Sequence, residues 1–471
     1  MSVTDESRSG HAPSGAFRRV RPGHRSGPAR SGTVLRVPPF EVAKSPVAGG
    51  TVPRPATWLN RLRPRLSGSL PQGIASPQHG DQLPHPRSEI LALTGVRAAA
   101  ALAVVVHHIG LPASAPEPLR NLAASGYIGV PLFFMLSGLV LAWNYSSLTV
   151  LSGTRLWRFY LARIARVMPL YWAVLLFLVV QRSARGVPQE ALWRHLLAIQ
   201  TWSGDYVIGQ ASYNPPGWSI CVEIFLYALF PLLIPVIAFV SRRFGVAGLV
   251  SVMVFAFAVQ VLLVALFTAE GWAHLSMRDP SSGHRWLYRN PLPRLSEFMI
   301  GMSLAFLLLR GFRLRIRVAG WLQAACVVVV LVVASLGPDH ADWELPAFYG
   351  AMWTVPFAVL LLSLAAAPTA WLSRFFSTRA LVSLGTASYA LYLTHRPLLP
   401  YLGKDRLDLL TDPSGWAMYA SVAVTIGLCM LVGEGAHRLI EVPARRAVLR
   451  LVQRRTSPRL VTERTPSEVS A

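Results

Sequence analysis

The chain is short of charge. Only 14% of its 471 residues are Asp, Glu, Lys or Arg, where a soluble domain carries roughly 25%. That shortfall excludes an ordinary water-soluble enzyme. Lysine is almost absent: Lys44 and Lys404 are the two, so arginine carries the basic side, in keeping with a high-GC bacterial genome. Cysteine is confined to Cys221, Cys326 and Cys429, all in apolar stretches. This excludes a disulfide framework and makes them small buried hydrophobes. No Ser, Cys or Thr occupies a nucleophile elbow, and no metal site or permanently bound cofactor is expected. Residues 1–88 lack any apolar run that would serve as a helix core or a signal-peptide h-region. Rich in Pro, Gly, Ser and Arg, they are expected to be a disordered basic cytoplasmic tail. Residues 447–471 are expected to be a second one. This leaves 89–446 as a single membrane domain, with no further soluble domain expected after it.

What the chain has in quantity is apolar sequence. It is 53% hydrophobic, with a mean hydropathy of +0.42. From Ile90 onward apolar runs alternate with short polar breaks. A bilayer crossing needs about 20 residues at 1.5 Å rise each. Ten spans are predicted, at about 90–111, 127–144, 167–181, 217–240, 244–268, 295–309, 318–336, 347–366, 380–402 and 416–440. The fold class is therefore all-α, a polytopic helical bundle in the cell membrane. The arginine-studded segment 154–166 is expected along the interface before the third span. If the basic tail is cytoplasmic, the inner loops hold twelve arginines, from Arg155 to Arg379, and no Asp or Glu. This places both termini inside. The net charge of +23 then reports orientation, and nucleic acid is not an expected partner.

Few charges remain within the spans, and at bilayer depth each is a functional candidate. Arg97 and His108 lie eleven residues apart in the first span, about 16 Å along a helix, with His107 beside the latter. Ser219, Glu223 and Tyr227 share one face of the fourth span at i, i+4, i+8, just after Trp218. Arg294 and Glu297 at i, i+3 can pair on the sixth. Tyr389, Tyr392 and His395 recur at three-residue spacing in the ninth. Glu434 and Arg438 in the last are expected to be a local structural pair. The topology brings His108, Glu223, Arg294, Glu297 and His395 to similar depth from four spans, which suggests a shared polar chamber. Such a chamber suits an enzyme or a small-metabolite transporter; the absence of internal repeats weighs against the latter. A membrane sensor has only the tail in its favour.

The motifs resemble acyltransferase family 3, integral-membrane O-acyltransferases acting on sugars, envelope glycans and secondary metabolites. LTGVRAAAALAVVVHH is similar to the family's opening helix, with an arginine followed by a histidine, which selects His108 over His107. GYIGVPLFFMLSGLVL, FYLARIARVMPLYW, GWSICVEIFLYALFP, PRLSEFMIG, SYALYLTHRP and EVPARR continue the likeness in family order, from about Leu91 to Arg446. The chain departs at Thr94, where Asp is common, and at Ile224, where many members have a second acid. The resemblance implies His108 as general base, with Glu223 orienting its imidazole or holding the acceptor. It implies an acyl-CoA donor, acetyl-CoA foremost, with Arg97, Arg163 and Arg166 facing its phosphates, although inner-loop arginines also set topology by themselves. The acceptor would be a hydroxyl-bearing glycan, glycolipid or natural product. Trp218, Ser219, Arg294, Glu297, Tyr392 and His395 are its candidate neighbours, and Arg294, Tyr392 or His395 would face the oxyanion.

Overall fold

A computed structural model of the protein describes residues 89–148, 152–182, 189–211, 213–336, 350–402 and 416–456. The expected N-terminal tail lies outside them. Among the described residues every regular element is helical, the outcome expected where hydrocarbon leaves backbone groups to satisfy one another. The helices are α1 (Leu91–Ile109), α2 (Glu117–Ala124), α3 (Gly129–Tyr145), α4 (Gly153–Arg182), α5 (Gln189–Leu196), α6 (Trp218–Ala269) and α7 (Leu295–Leu309). They continue as α8 (Ile316–Leu336), α9 (Ala351–Ala366), α10 (Trp371–Phe376), α11 (Arg379–Thr386), α12 (Ser388–Leu402), α13 (Trp416–Ala436) and α14 (Val442–Thr456).

Six helical stretches are long and apolar enough to cross a membrane: Leu91–Ile109, Glu117–Tyr145, Gly153–Gln181, Pro215–Ala269, Ile316–Leu336 and Trp416–Arg450. Leu295–Leu309 and Ala351–Ala366 are apolar but shorter. The architecture is a helical membrane bundle, and two of its elements differ from the pattern read in the sequence. The 52-residue α6 carries the runs at 217–240 and 244–268, as expected, as two helical halves divided by a kink at Gly245. Straight, it would be about 78 Å long, more than twice a ~30 Å hydrocarbon core. It turns at Gly245, whose φ of 62° and ψ of −139° suit a residue without a Cβ. The run at 380–402 is divided into α11 and α12 at Ala387. The expected interfacial segment 154–166 and the third span are a single helix, α4, running through Pro169.

The C-terminal boundary also moves. Disorder was expected from residue 447, but α14 continues to Thr456. VPARRAVLRLVQRRT interleaves aliphatic and arginine residues, so one face is apolar, and the helix packs against α4. Val442, Ala444, Val448 and Leu449 are half-buried, and tertiary packing of this kind supports a helix more than propensity does.

The closest helix pair is α3 with α7. Gly138 of α3 sits against the backbone of Phe298, and Gly301 of α7 sits against the backbone of Met135 and Leu139. A Cβ at either position would meet main chain. Paired small residues allow this approach where lipid removes the hydrophobic drive between helices. Around it lie fully buried Met135, Leu136, Leu139, Phe230, Phe298 and Trp353. The second half of α6 and α8 turn large apolar side chains outward, Phe255 at 67% exposure and Val328 at 57% among them, which makes them the lipid-facing wall.

Candidate active site

Two clefts meet between α1, α3, α4, α6 and α12. The deeper, of about 790 Å³, is lined by Arg97, Arg163, Arg166, Ser219, Glu223, Tyr227, Ser388 and Tyr392, together with Phe133 and Phe134. The second, of about 1730 Å³, is lined by Glu89, Arg97, Trp143, Arg166, His437, Glu441, Arg445 and Arg446. Arg97, Arg166 and Val140 belong to both. The two spaces therefore form one path with an arginine neck.

At the neck, the Arg97 Nε donates to Ser388 Oγ at 3.3 Å. Arg163 donates from Nη2 to the Tyr145 hydroxyl at 3.1 Å, and its guanidinium lies 5.4 Å from the Tyr145 ring centroid and 5.9 Å from that of Tyr227. Its Nε is buried with no hydrogen-bond partner. Glu223 accepts from the Tyr227 hydroxyl one turn on, and its charge acts on Arg97 and Arg166. Across both clefts five arginines face three carboxylates, Glu89, Glu223 and Glu441. Two of those are occupied locally: Glu89 accepts from Thr94 at 2.5 Å and Glu441 pairs with His437 at 2.8 Å. The surplus of guanidinium suits a multiply charged anion, and arginine's fork is matched to phosphate.

The other end of the path is built on histidine. His108 Nδ1 lies 2.9 Å from the Val104 carbonyl and 3.3 Å from His395 Nε2. His395 Nδ1 lies 3.3 Å from the Leu391 carbonyl. A carbonyl oxygen only accepts, so each Nδ1 carries the proton of the neutral ring. His395 Nε2 is then an acceptor, and the His108 Nδ1–H is shared between it and Val104. His108 Nε2 is left with its lone pair. His395 is fully buried. Tyr392, one turn before it, lines the deeper cleft and donates to the Pro216 carbonyl at 3.0 Å. The Tyr392 and His395 rings are 6.0 Å apart, so the histidine pair stands behind the tyrosine wall of the cleft.

The structure thus brings Arg97, Arg163, Arg166, Ser219, Glu223 and Tyr392 to one cleft, while His395 and His108 lie behind Tyr392 and do not line it. Trp218 stands next to it, its ring 6.1 Å from that of Phe134. The orienting partner of His108 is His395, whereas Glu223 serves the tyrosine and the arginines. Equal depth along a helix left the azimuth open, and azimuth decides which side chains meet. Arg294 and Glu297 are not brought to the cleft. They pair with each other at 2.6 Å, with exposures of 1% and 0%, and Arg294 also donates to the Leu287 carbonyl. Glu297 is bonded to Gln260, which accepts from Thr354 at 2.9 Å. The cluster ties α7 to α6 and α9. Glu434 and Arg438 form the local pair their spacing suggested, at 2.6 Å.

Reading the sequence missed Tyr127, Tyr288 and Arg289. From His108 a chain of ring contacts runs through His107 (4.9 Å), Tyr127 (5.8 Å) and Tyr288 (5.9 Å) to Trp218 (5.0 Å). Arg289 stands over Trp218 at 5.8 Å. None of these residues sits in a long periodic helix. Tyr127 is in a 3₁₀ turn and the other two in a π-helical turn, His284–Arg289, where no face pattern marks them.

The site is thus an arginine-rich cleft inside an apolar helical bundle, with a pair of histidines close behind one of its walls. The comparisons specify the class: residues 90–434 match the acyltransferase domain model of acyltransferase family 3, and the chain belongs to that family. It is 27% identical over 397 residues to the acyltransferase MdmB of Streptomyces mycarofaciens, covering 80% of this chain and 96% of that protein. To the putative peptidoglycan O-acetyltransferase YrhL of Bacillus subtilis it is 26% identical, over 78% of this chain. To the peptidoglycan O-acetyltransferase OatA of Listeria monocytogenes it is 22% identical, over 76% of this chain. The chain spans 56% of the length of each of these two. No solved structure matches it. The protein is a bacterial membrane O-acyltransferase, which sets aside the transporter alternative.

Proposed function

We propose that the protein moves an acyl group, acetyl foremost, from acyl-CoA to a hydroxyl of a carbohydrate or secondary-metabolite acceptor, with His108 as general base. The observation that carries this reading is the cleft that Arg97, Arg163 and Arg166 share with Tyr392, whose ring stands 6.0 Å from that of His395, the neighbour of His108. Coenzyme A carries its phosphates at one end and its thioester at the other, separated by an extended arm. The ~16 Å between Arg97 and His108 along α1 suits that arm. The phosphates meet the arginines, and the adenosine end occupies the wider cleft beside Trp143 and Arg445. Glu223 holds Tyr227 and offsets the mutual repulsion of Arg97 and Arg166.

At the histidine end the lone pair of His108 Nε2 takes the proton of the acceptor hydroxyl as its oxygen attacks the thioester carbonyl. The C–O bond forms and the carbonyl electrons move to oxygen. Collapse of that oxyanion breaks the C–S bond, and the leaving thiolate takes the proton from His108. His395 acts through His108: accepting from Nδ1–H, it fixes the tautomer that leaves Nε2 free and favours the imidazolium formed mid-reaction. Tyr392 and Ser219 stand nearest the carbonyl in the cleft. The similarity to YrhL and OatA, named for peptidoglycan O-acetylation, favours a glycan as acceptor.

The test is purified full-length protein in lipid nanodiscs with radiolabelled acetyl-CoA and both acceptor classes, following thiol release and product mass. Acceptor-dependent thiol release matched by acylated product, and lost in His108→Ala, is the expected result. Flux of a solute with no thiol release would overturn it.

A further inference from the structure

Arg289 differs from the other buried arginines of the molecule. Arg294 is paired with Glu297, Arg97 and Arg163 donate to hydroxyls, and Arg166 feels Glu223 and Glu441. Arg289 is largely buried, its Nε is fully so, and that Nε has no hydrogen-bond partner. The groups whose charge acts on it are the hydroxyls of Tyr288, Tyr206 and Tyr392, with no carboxylate among them. Glu297, the nearest acid in sequence, is committed to Arg294 at 2.6 Å. His284 on the same turn faces it as a neutral or like-charged neighbour, never as a counter-ion.

Its one close partner is the face of Trp218, 5.8 Å from the guanidinium carbon. That distance is near the outer limit for a cation–π contact, and the buried Nε–H is left without an acceptor. A guanidinium withdrawn from water without a counter-ion is costly to keep. An anionic ligand arriving at the site would remove that cost.

The place where such a ligand would sit is given by the surrounding rings. Trp218, Tyr288, Tyr127, His107, His108, His395 and Tyr392 are linked by contacts of 4.9 to 6.0 Å. This circuit of rings runs from Tyr392, which lines the deeper cleft, to Trp218, over which Arg289 stands. The reacting histidine is on one side of this circuit, and Trp218 with Arg289 is on another. Aromatic walls with one placed charge are the makeup of a small-molecule site, the rings stacking on an apolar ring face and the charge fixing orientation. Arg163 and Arg166 face the donor's end of the path, so they are not available to an anion here.

We propose that this circuit is the acceptor subsite and that the acceptor is anionic: a hydroxylated ring bearing a carboxylate or phosphate, which Arg289 holds while a hydroxyl reaches His108. This rests on the acyl-transfer reading above for the role of His108, but the anion preference is read independently of turnover.

The experiment measures equilibrium binding of three probes to full-length protein in nanodiscs by competition calorimetry: methyl β-glucuronoside, glucose 1-phosphate and methyl β-glucoside. The wild type should bind one charged probe at least about tenfold more tightly than the neutral one, the effect of one charge-assisted contact. Which probe wins distinguishes carboxylate from phosphate. Arg289→Gln should bring the ratio to about one, Arg289→Lys should restore part of it, and Arg289→Glu should invert it in favour of the neutral methyl β-glucoside. His108→Ala should retain the wild-type ratio, so loss of transfer and loss of anion preference are separate results. Equal binding of all three probes by the wild type overturns the proposal. So does a preference that survives Arg289→Gln, or one that disappears in a variant shown by its melting curve to be unfolded while Arg289→Lys, folded, also lacks it.

Discussion

The two ends of the path are built from different chemistry by neighbouring turns of the same helices. At the Arg97 end, cations outnumber carboxylates, and the groups hold one another: Arg97 to Ser388, Arg163 to Tyr145, Tyr227 to Glu223. At the His108 end, rings replace charges, and one histidine fixes the proton of the next. The α1 helix contributes to both, and so do α6 and α12. The difference teaches that one end is suited to binding strongly and leaving the ligand unchanged, while the other is suited to moving a proton. Binding energy gathered at a remote, unreacting part of a substrate is the ordinary means of positioning its reactive part.

Substitutions can break this division at either end. The largest expected effect is that of His108→Ala, a fall in kcat of about 100- to 10,000-fold with donor affinity unchanged, measured by single-turnover transfer and donor titration. Next is Glu297→Gln, outside both ends. Removing one partner of a buried ion pair costs about 3–5 kcal/mol, so thermal unfolding in detergent should show a large loss of stability, with the Arg97 and His108 readouts per folded molecule retained. Arg97→Ala should raise donor KM about 10- to 100-fold, the loss of one or two charge-assisted hydrogen bonds, with acceptor KM unchanged. The smallest effect is at His395. Replacement by Leu should lower kcat about fivefold, since one neutral hydrogen bond is worth ~1 kcal/mol. His395→Gln, whose amide oxygen still accepts from His108 Nδ1, should recover most of that, a rescue that a packing role alone would not give.

The elements with a period were legible in the sequence. The helical class, most of the spans, the Arg97–His108 spacing and the Arg294–Glu297 and Glu434–Arg438 pairs all follow from the 3.6-residue repeat and i, i+3 or i, i+4 geometry. What the repeat does not contain is direction between helices. Glu223 and His395 stand at similar depth on α6 and α12, and only the packing shows that His395 faces His108 while Glu223 turns to Tyr227. Arg294 and Glu297 share that depth too, yet α7 presses them against Gln260 and away from the cleft. The break between the two spans of α6 falls at Gly245, whose left-handed φ interrupts the helix there. Tyr127, Tyr288 and Arg289 lie in short 3₁₀ and π turns, where neither a 2- nor a 3.6-residue pattern operates. A lone arginine between Tyr288 and Asn290 carries no local mark of lacking a carboxylate.

The division of labour along the path is tested most directly by measuring donor dissociation and single-turnover transfer in the same two variants. Arg97→Ala should weaken acetyl-CoA binding at least about tenfold while saturating donor restores transfer to within a few-fold of wild type. His108→Ala should bind acetyl-CoA as the wild type does and transfer nothing at saturation. Two variants that each lose affinity and rate together would contradict the account.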